Sequence, residues 1–467
     1  MSSNAHFRRT SRSISIASEP LLENATDSIK EENTALKPTA SIPSSVANLA
    51  NTIIGTGMLA MPSVISSTGL IPAIILILLS SLLSSFGLYL LHLSSTHLNS
   101  SRASSFNAIA TLTYPNAAIY FDVAIALKCF GVSVSYLLIL GQLLPPLVTS
   151  FFHHLTPSHI DPPATLLSRH FWITLFVLFL APLANMRQLN SLRYTSYISI
   201  FSAGYLLLIV VLCAIHSPIP LPPPGQISWA KFDSSAISKF PVLVFAFTCA
   251  QNFFPVQNEL QSNTHSRTTT VIATSIGIAA GLYEIIGVLG YVTFGDNVNS
   301  NIMSMYPDTS IFISFGRLAI AILVLSSYPL QVHPCRNSLD KIIRTRSEKE
   351  VDGSVQEGRQ DEDEYDDEAV KNPPSTTKHI ILTIAILLLT WTVAMLVSQL
   401  DKVLAFVGST GSTTISFILP GLFYRALSKN DDDPQRRWLR IGSRLLVVYG
   451  FSVMIFCLAF NFYELFV

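Results

Sequence analysis

Apolar residues run along this chain in blocks of about 20, the length that crosses the hydrocarbon layer of a bilayer as a helix. About eleven such blocks predict spans near 43–66, 69–93, 117–147, 171–187, 193–215, 239–258, 268–294, 309–333, 378–398, 402–425 and 441–465. Two blocks are interrupted. In the first, NLANTIIGTGMLAMP (48–62) carries Gly55-Thr56-Gly57 in its middle and Pro62 near its end. In the sixth, Pro241 and Pro255 bracket a polar patch of Thr248, Gln251 and Asn252. Glycine and proline weaken a helix. Broken backbone at membrane depth is tolerated only where it is buried in protein or lines a cavity. The plainer reading of the first break is a glycine-rich face for helix packing. Two broken helices five spans apart are what a pair of inverted five-helix repeats would place at corresponding positions. The expected fold is therefore an all-α polytopic membrane protein. It has inverted repeats with broken first and sixth helices, and an eleventh helix added outside them.

The polar stretches between blocks complete this layout. The connector 216–238 contains Pro218, Pro220 and Pro222-Pro223-Pro224 and reads as stiff and extended. The loop 339–377 holds an acidic run at 361–368 and too few apolar residues to bury a core, so disorder is expected there. The same holds for a serine-rich tail over 1–42, leaving 43–465 as the transmembrane domain. Basic residues concentrate in alternate loops. One set carries Arg8, Arg9 and Arg12, then Arg102, Arg187 and Arg193, Arg267, a cluster from Arg336 to Arg346, and a last one from Arg425 to Arg440. The opposite set holds only Arg169, Lys231, Lys239 and Lys402. The positive-inside rule puts the first set in the cytosol. The N-terminus is then cytosolic, and the tail after Glu464 is on the far side.

Composition agrees. The chain of 467 residues is 49% hydrophobic and 12% charged, against about a quarter charged in soluble domains. Zero net charge suggests no nucleic-acid partner. Cys129, Cys213, Cys249, Cys335 and Cys457 have no paired spacing and read as reduced, small apolar residues. No signal peptide is expected. No nucleophile–base set, metal cluster or phosphate loop is visible, so neither an enzyme nor a cofactor is expected.

Charged residues inside apolar blocks are functional candidates by default. Lys128 shares one helix face with Val132, Ser135, Ile139 and Gln142. Its more ordinary reading is a lysine snorkelling to the near surface. Glu284 is the other interior charge: it pairs with a lysine, carries a coupling proton, or marks a misplaced helix boundary. Burial disfavours the charged form of either group.

Six segments in order, NLANTIIGTGMLAMP (48–62), FGVSVSYLLILG (130–141), FAFTCAQNFFPVQNEL (245–260), GYVTFG (290–295), SSYPLQVHPCR (326–336) and GSTGSTTISFILPGLFY (408–424), resemble the amino acid/auxin permease family. The opening SSVANLANTIIGTGMLAMP (44–62) is most similar to fungal vacuolar members that move solutes out to the cytosol. The resemblance implies an eleven-helix secondary active transporter working by alternating access. The expected activity is proton-coupled export of neutral amino acids from the vacuole. The expected partners are the amino acid, protons and the bilayer, with the protein a monomer. A non-transporting amino-acid sensor and a sodium-coupled symporter are the alternatives. On this reading, Gly55, Thr56 and Gly57 offer free amides to a carboxylate. Asn51, like Asn48, either touches ligand or bonds a neighbouring helix. Thr248, Gln251 and Asn252 would meet the amino group or a polar side chain. Lys128, Glu284, Ser326 and Ser327 are the coupling candidates. In sodium-coupled relatives of this fold, hydroxyls at the eighth-span position help make a sodium site. Here they are live ligands, relics, or hydroxyls bonded back to helix carbonyls. A buried Lys128 would replace such an ion as a fixed charge. Gly408 and Gly411 read as a close-packing face.

Overall fold

The computed structural model describes residues 40–98, 104–155, 162–186, 192–217, 219–231, 234–352, 376–429 and 436–466. Among them the chain is helical apart from short connections and one isolated β-bridge, Ala40 to Leu260. The spans follow the hydrophobic blocks closely. The first is α1 (Ile42–Ile53) and α2 (Gly57–Thr68), bent by 54° at the break. The second is α3 (Leu70–Ser95), followed by a short connecting helix α4 (Phe106–Thr113). The third to fifth are α5 (Ala118–Leu155), α6 (Arg169–Ala184) and α7 (Leu192–Ile215). The sixth is α8 (Ser235–Ala246) and α9 (Ala250–Glu259), interrupted at Phe247-Thr248-Cys249. Then come α10 (His265–Phe294), α11 (Ile311–Asp352) and α12 (Thr376–Leu396). The tenth span runs from α13 (Leu400–Val407) through two π-helical turns at Gly408–Ser412 and Thr414–Ile418 to α14 (Leu419–Leu427). The eleventh is α15 (Arg437–Phe466).

Among the described residues nine helical segments are long and apolar enough to cross a bilayer, and the bent α1–α2 pair makes one more crossing. The 16-residue α6 is shorter but stands at the expected fourth position. Helix α11 continues past the expected end of the eighth span to Asp352, into the segment read as an acidic loop. The tail 1–39 and residues 353–375 lie outside the described residues.

Local chemistry explains the elements. Ser41 caps α1, its side chain accepting from the Ser44 N–H, and a proline stands in the first turn. Gly69, at φ 82°, turns the chain from α2 into α3 in a backbone region open mainly to glycine. The helices sort their faces by solvent. On α3, Ile71, Ile75, Leu78 and Leu82 are exposed, while Ala73, Ile77, Ser80, Ser84 and Gly87 are buried. An exposed apolar stripe of this kind would be a liability in water and is the normal surface in lipid. Inside the bundle, small residues permit close approach. A Cβ on Gly290 would come within 2.7 Å of Pro62, and one on Gly287 within 2.9 Å of Ile65. These contacts seat α10 against α2. Helices α5 and α11 pack along much of their length through the centre. The proline connector docks between elements: Leu70 N–H donates to Ser228 O (3.1 Å) and Gly225 N–H to Phe294 O (2.8 Å). All five cysteines are free and buried.

Candidate functional site

The two breaks meet at one point near the centre of the bundle. The Tyr283 hydroxyl, from α10, lies 2.5 Å from the carbonyl oxygen of Ile53, the last residue of α1. It lies 3.2 Å from that of Ala246, the last residue of α8. One phenol therefore serves the carbonyl ends of both half-helices, groups that a helix leaves unsatisfied at its C-terminus. Gly57, the first residue of α2, packs directly on this joint. A Cβ there would stand 2.8 Å from that of Ala246. Gly55 differs: nothing approaches its missing Cβ closer than 3.9 Å, and the atoms at that distance are Ile53 O and the Tyr136 hydroxyl.

Beside the joint is a cavity of about 20 Å³, room for about one water molecule. The first span lines it with Thr52, Ile53, Gly55, Thr56 and Gly57. The third contributes Lys128, Val132 and Tyr136, the sixth Phe245 and Thr248, and the eighth Gln331. Among the described residues the N–H groups of Gly55, Thr56 and Gly57 find no backbone acceptor. They form the positive end of α2, suited to an anion. No carboxylate lines the cavity.

The expected site residues divide. Gly55, Thr56, Gly57, Thr248 and Lys128 gather at the cavity. The Thr56 hydroxyl is 3.4 Å from that of Ser135. Thr248 donates to Val244 O (2.6 Å) and accepts from Ser416, in the second π-helical turn, at 3.2 Å. Lys128 is only 3% exposed, which corrects the picture of a snorkelling side chain. Helix α5 starts at Ala118, so Lys128 lies well inside it. Gly411 of the tenth span packs on its backbone, with the site of a Cβ 2.8 Å from that of Lys128.

The remaining candidates lie off the cavity. Asn252 donates to Thr52 at 2.9 Å and so ties α9 to α1. Gln251 has both amide atoms buried without a partner among the described residues. Asn51 lies on the partly buried face of α1. Glu284 adjoins Tyr283 but is turned away from the cavity, and its Oε1 finds no partner among the described residues. Ser326 bonds back to Leu323 O at 2.9 Å. Gln331 shares the cavity lining with Tyr136, and Ser327 stands one turn before it on α11. Tyr136, Tyr283 and Gln331 were not singled out by sequence reasoning. Tyr136 follows Ser135 on the face already recognised, and Gln331 is four residues after Ser327, so both were one step away.

The cavity is sealed unequally. Toward the start of α1 the seal is thick: Ala40 N–H donates to Glu259 O (3.1 Å) and Gln261 N–H to Ala40 O (2.9 Å). Gln257 adds a bond to Ser95 and Asn258 one to the Ser104 carbonyl. Toward the other side opens a polar vestibule of about 500 Å³. At its rim Lys239 of α8 donates to Ser63 of α2, at 2.7 Å to the hydroxyl and 3.3 Å to the carbonyl.

Comparison with known proteins shows the family of the chain. The family model described as "Transmembrane amino acid transporter protein" matches residues 38–462. The chain belongs to that family. Vacuolar amino acid transporter 5 of Schizosaccharomyces pombe is 41% identical over 426 residues, covering 90% of this chain and 93% of its own. Vacuolar amino acid transporter 6 of Saccharomyces cerevisiae is 36% identical over 453 residues, covering 90% and 98%. Among solved structures, MhsT in complex with L-phenylalanine aligns with a TM-score of 0.54 at 12% identity, covering 88% of this chain and 98% of that one. This last likeness concerns the fold alone and agrees with the inverted-repeat architecture. Membership places the chain among transporters and not among enzymes.

The family fold makes the joint testable. Tyr283→Phe removes the hydroxyl that serves two buried carbonyls, a loss of about 1–3 kcal/mol for groups left unpaired. The expected result is a lower melting temperature for the purified protein, with normal insertion into the membrane. An unchanged melting temperature would mean that the joint is held by packing alone.

Proposed function

We propose that this protein is a secondary active transporter of neutral amino acids in the vacuolar membrane, and that the cavity between the helix breaks is its substrate site in a closed state. The observation that carries the reading is the convergence of unpaired amides at Gly55–Gly57 with the carbonyl ends of α1 and α8. The amides suit a carboxylate, and the carbonyls suit an ammonium group. The names of the relatives from two yeasts support the amino-acid class and the membrane. Lys128 disfavours a cationic side chain at the same place. It also favours a second reading, an acidic substrate. Uptake into proteoliposomes with a panel of labelled amino acids separates the two. Neutral residues carried better than aspartate and glutamate support the first.

The orientation follows from the basic residues: the start of α1 faces the cytosol, and the polar vestibule opens to the vacuolar lumen. Protease added to intact vesicles should then remove a tag at the N-terminus and spare one after Glu464. Cleavage of both from the cytosolic side would overturn the topology. Vacuoles are acidic inside, so a proton gradient directed to the cytosol is available, and we assign the coupling to protons and the net flux to export. An imposed sodium gradient that drives uptake where a pH gradient fails would reverse that assignment. A sensor of the same fold would bind amino acids in these experiments without moving them.

A further inference from the structure

A second hollow lies behind the wall that bounds the central cavity. On α5, Lys128, Val132 and Tyr136 face the cavity, whereas Leu127, Phe130, Gly131 and Val134 face this hollow. The ninth, tenth and eleventh spans enclose it from the other sides. Its volume of about 570 Å³ falls in the range of small-molecule sites. Over most of its depth the walls are apolar, with Val393 and Leu396 of α12 opposite Val403 and Phe406 of α13. Phe406 meets Phe462 of α15 edge to face, with ring centres 5.9 Å apart. Gly131 and Val407 set the floor, where a Cβ on Gly131 would collide with Val407.

Polar groups gather at one end. Gln399 lies in the turn before α13, Lys402 in the first turn of α13, and Glu464 in the last turn of α15. Among the described residues neither Lys402 nor Glu464 joins an ion pair. Asn461 stands three residues before Glu464 on the same helix, about 4.5 Å deeper along its axis. Its Nδ2 is buried and finds no acceptor among the described residues. A buried donor left unpaired is costly, so this one calls for an acceptor from a molecule seated in the hollow. The order along the hollow is charge, then amide donor, then hydrocarbon. A phospholipid has the same order: head group, ester, acyl chain.

We propose that the hollow binds one phospholipid of the adjoining leaflet, with a head group that carries a primary ammonium, as in phosphatidylethanolamine. Its phosphate accepts from Lys402, and its ammonium donates to Glu464. An ester carbonyl accepts from the Asn461 Nδ2–H. The acyl chain lies against Leu127, Phe130 and Phe406. A choline head group has no N–H to give Glu464, and a glycerol head group brings no cation, so both lose a charge-assisted hydrogen bond. The seated lipid braces α5 against α13 from outside, behind Lys128 and the cavity.

The proposal holds whichever amino acid is carried. Its test begins with the full chain stripped of lipid in detergent. The protein is then reconstituted with equal amounts of phosphatidylethanolamine, phosphatidylcholine and phosphatidylglycerol of matched acyl chains. After re-extraction, retained lipid is identified and counted by native mass spectrometry. One phosphatidylethanolamine per chain should survive extraction. Asn461→Leu should lose it, as should the double variant Lys402→Met with Glu464→Gln. Leu127→Trp, which fills the hollow from an exposed position, should lose it without touching the polar end. Ile75→Trp, on the exposed stripe of α3, should keep it. Melting temperatures show which variants are folded. Equal retention of the three lipids overturns the proposal. So does phosphatidylethanolamine kept undiminished by any folded variant among the three expected to lose it.

Discussion

Thr56→Leu brings amino-acid uptake to background while the protein still folds and reaches its membrane. Thr56 is 3% exposed and lines a cavity of about 20 Å³. Leucine adds bulk where the helix break leaves its gap, and it shields the amides at Gly55 and Gly57. Overpacking a buried site costs about 1–3 kcal/mol, roughly five- to 150-fold in affinity. Leucine also deprives Ser135 of its neighbouring hydroxyl, but Ser135 keeps its bond to Val132 O at 2.8 Å, so folding should survive. Uptake by reconstituted protein and the melting temperature together check the claim. Near-normal uptake would remove the first helix break from the substrate path.

Lys128→Met abolishes flux driven by a pH gradient and leaves exchange of amino acid for amino acid. Methionine keeps most of the length of the side chain and removes its charge. Lys128 lines the cavity and is only 3% exposed, with Gly411 of the tenth span packed on its backbone. An amine that gains and loses a proton there changes the relative stability of loaded and empty states. The expected loss is roughly 5- to 150-fold, the range of a typical coupling free energy. Glu284→Gln serves as the counterpart. Glu284 does not line the cavity, and proton-driven uptake should persist in that variant. The reverse outcome, with Glu284→Gln uncoupled and Lys128→Met normal, would move the proton path out of the cavity to the outer side of α10.

The spans were legible because the bilayer sets their length, and nothing but an apolar block about 20 residues long meets that demand. The Gly-Thr-Gly break was legible for the same reason: two weak helix formers stand where a straight helix has no use for them. The second break was harder. Its polar patch pointed to Thr248, Gln251 and Asn252 together, yet only Thr248 lies at the interruption and lines the cavity. A helix resumes at Ala250 and carries the other two side chains off around its axis. The same rotation, about 100° per residue, separates Glu284 from Tyr283. The charge drew attention, and the tyrosine beside it holds the joint. Lys128 was misread because the start of α5 was uncertain, and a few residues of error there move a lysine between the interface and the interior. The π-helical turns of the tenth span had no signal beyond a run of serine, threonine and glycine.

The two hydrogen bonds between Ala40 and the strand-like end of α9 have a further consequence. On the proposed topology they shut the cytosolic side with backbone, and backbone amides exchange their hydrogen for deuterium. The Gln261 amide can trade its hydrogen for deuterium only during the moments when the chain ahead of α1 parts from Leu260. Its exchange rate therefore measures how often the carrier opens at this end, the cytosolic one on the proposed topology, without any label on the substrate. Saturating amino acid that speeds turnover should speed exchange at that one amide. A ligand that locks the lumen-facing form should slow it.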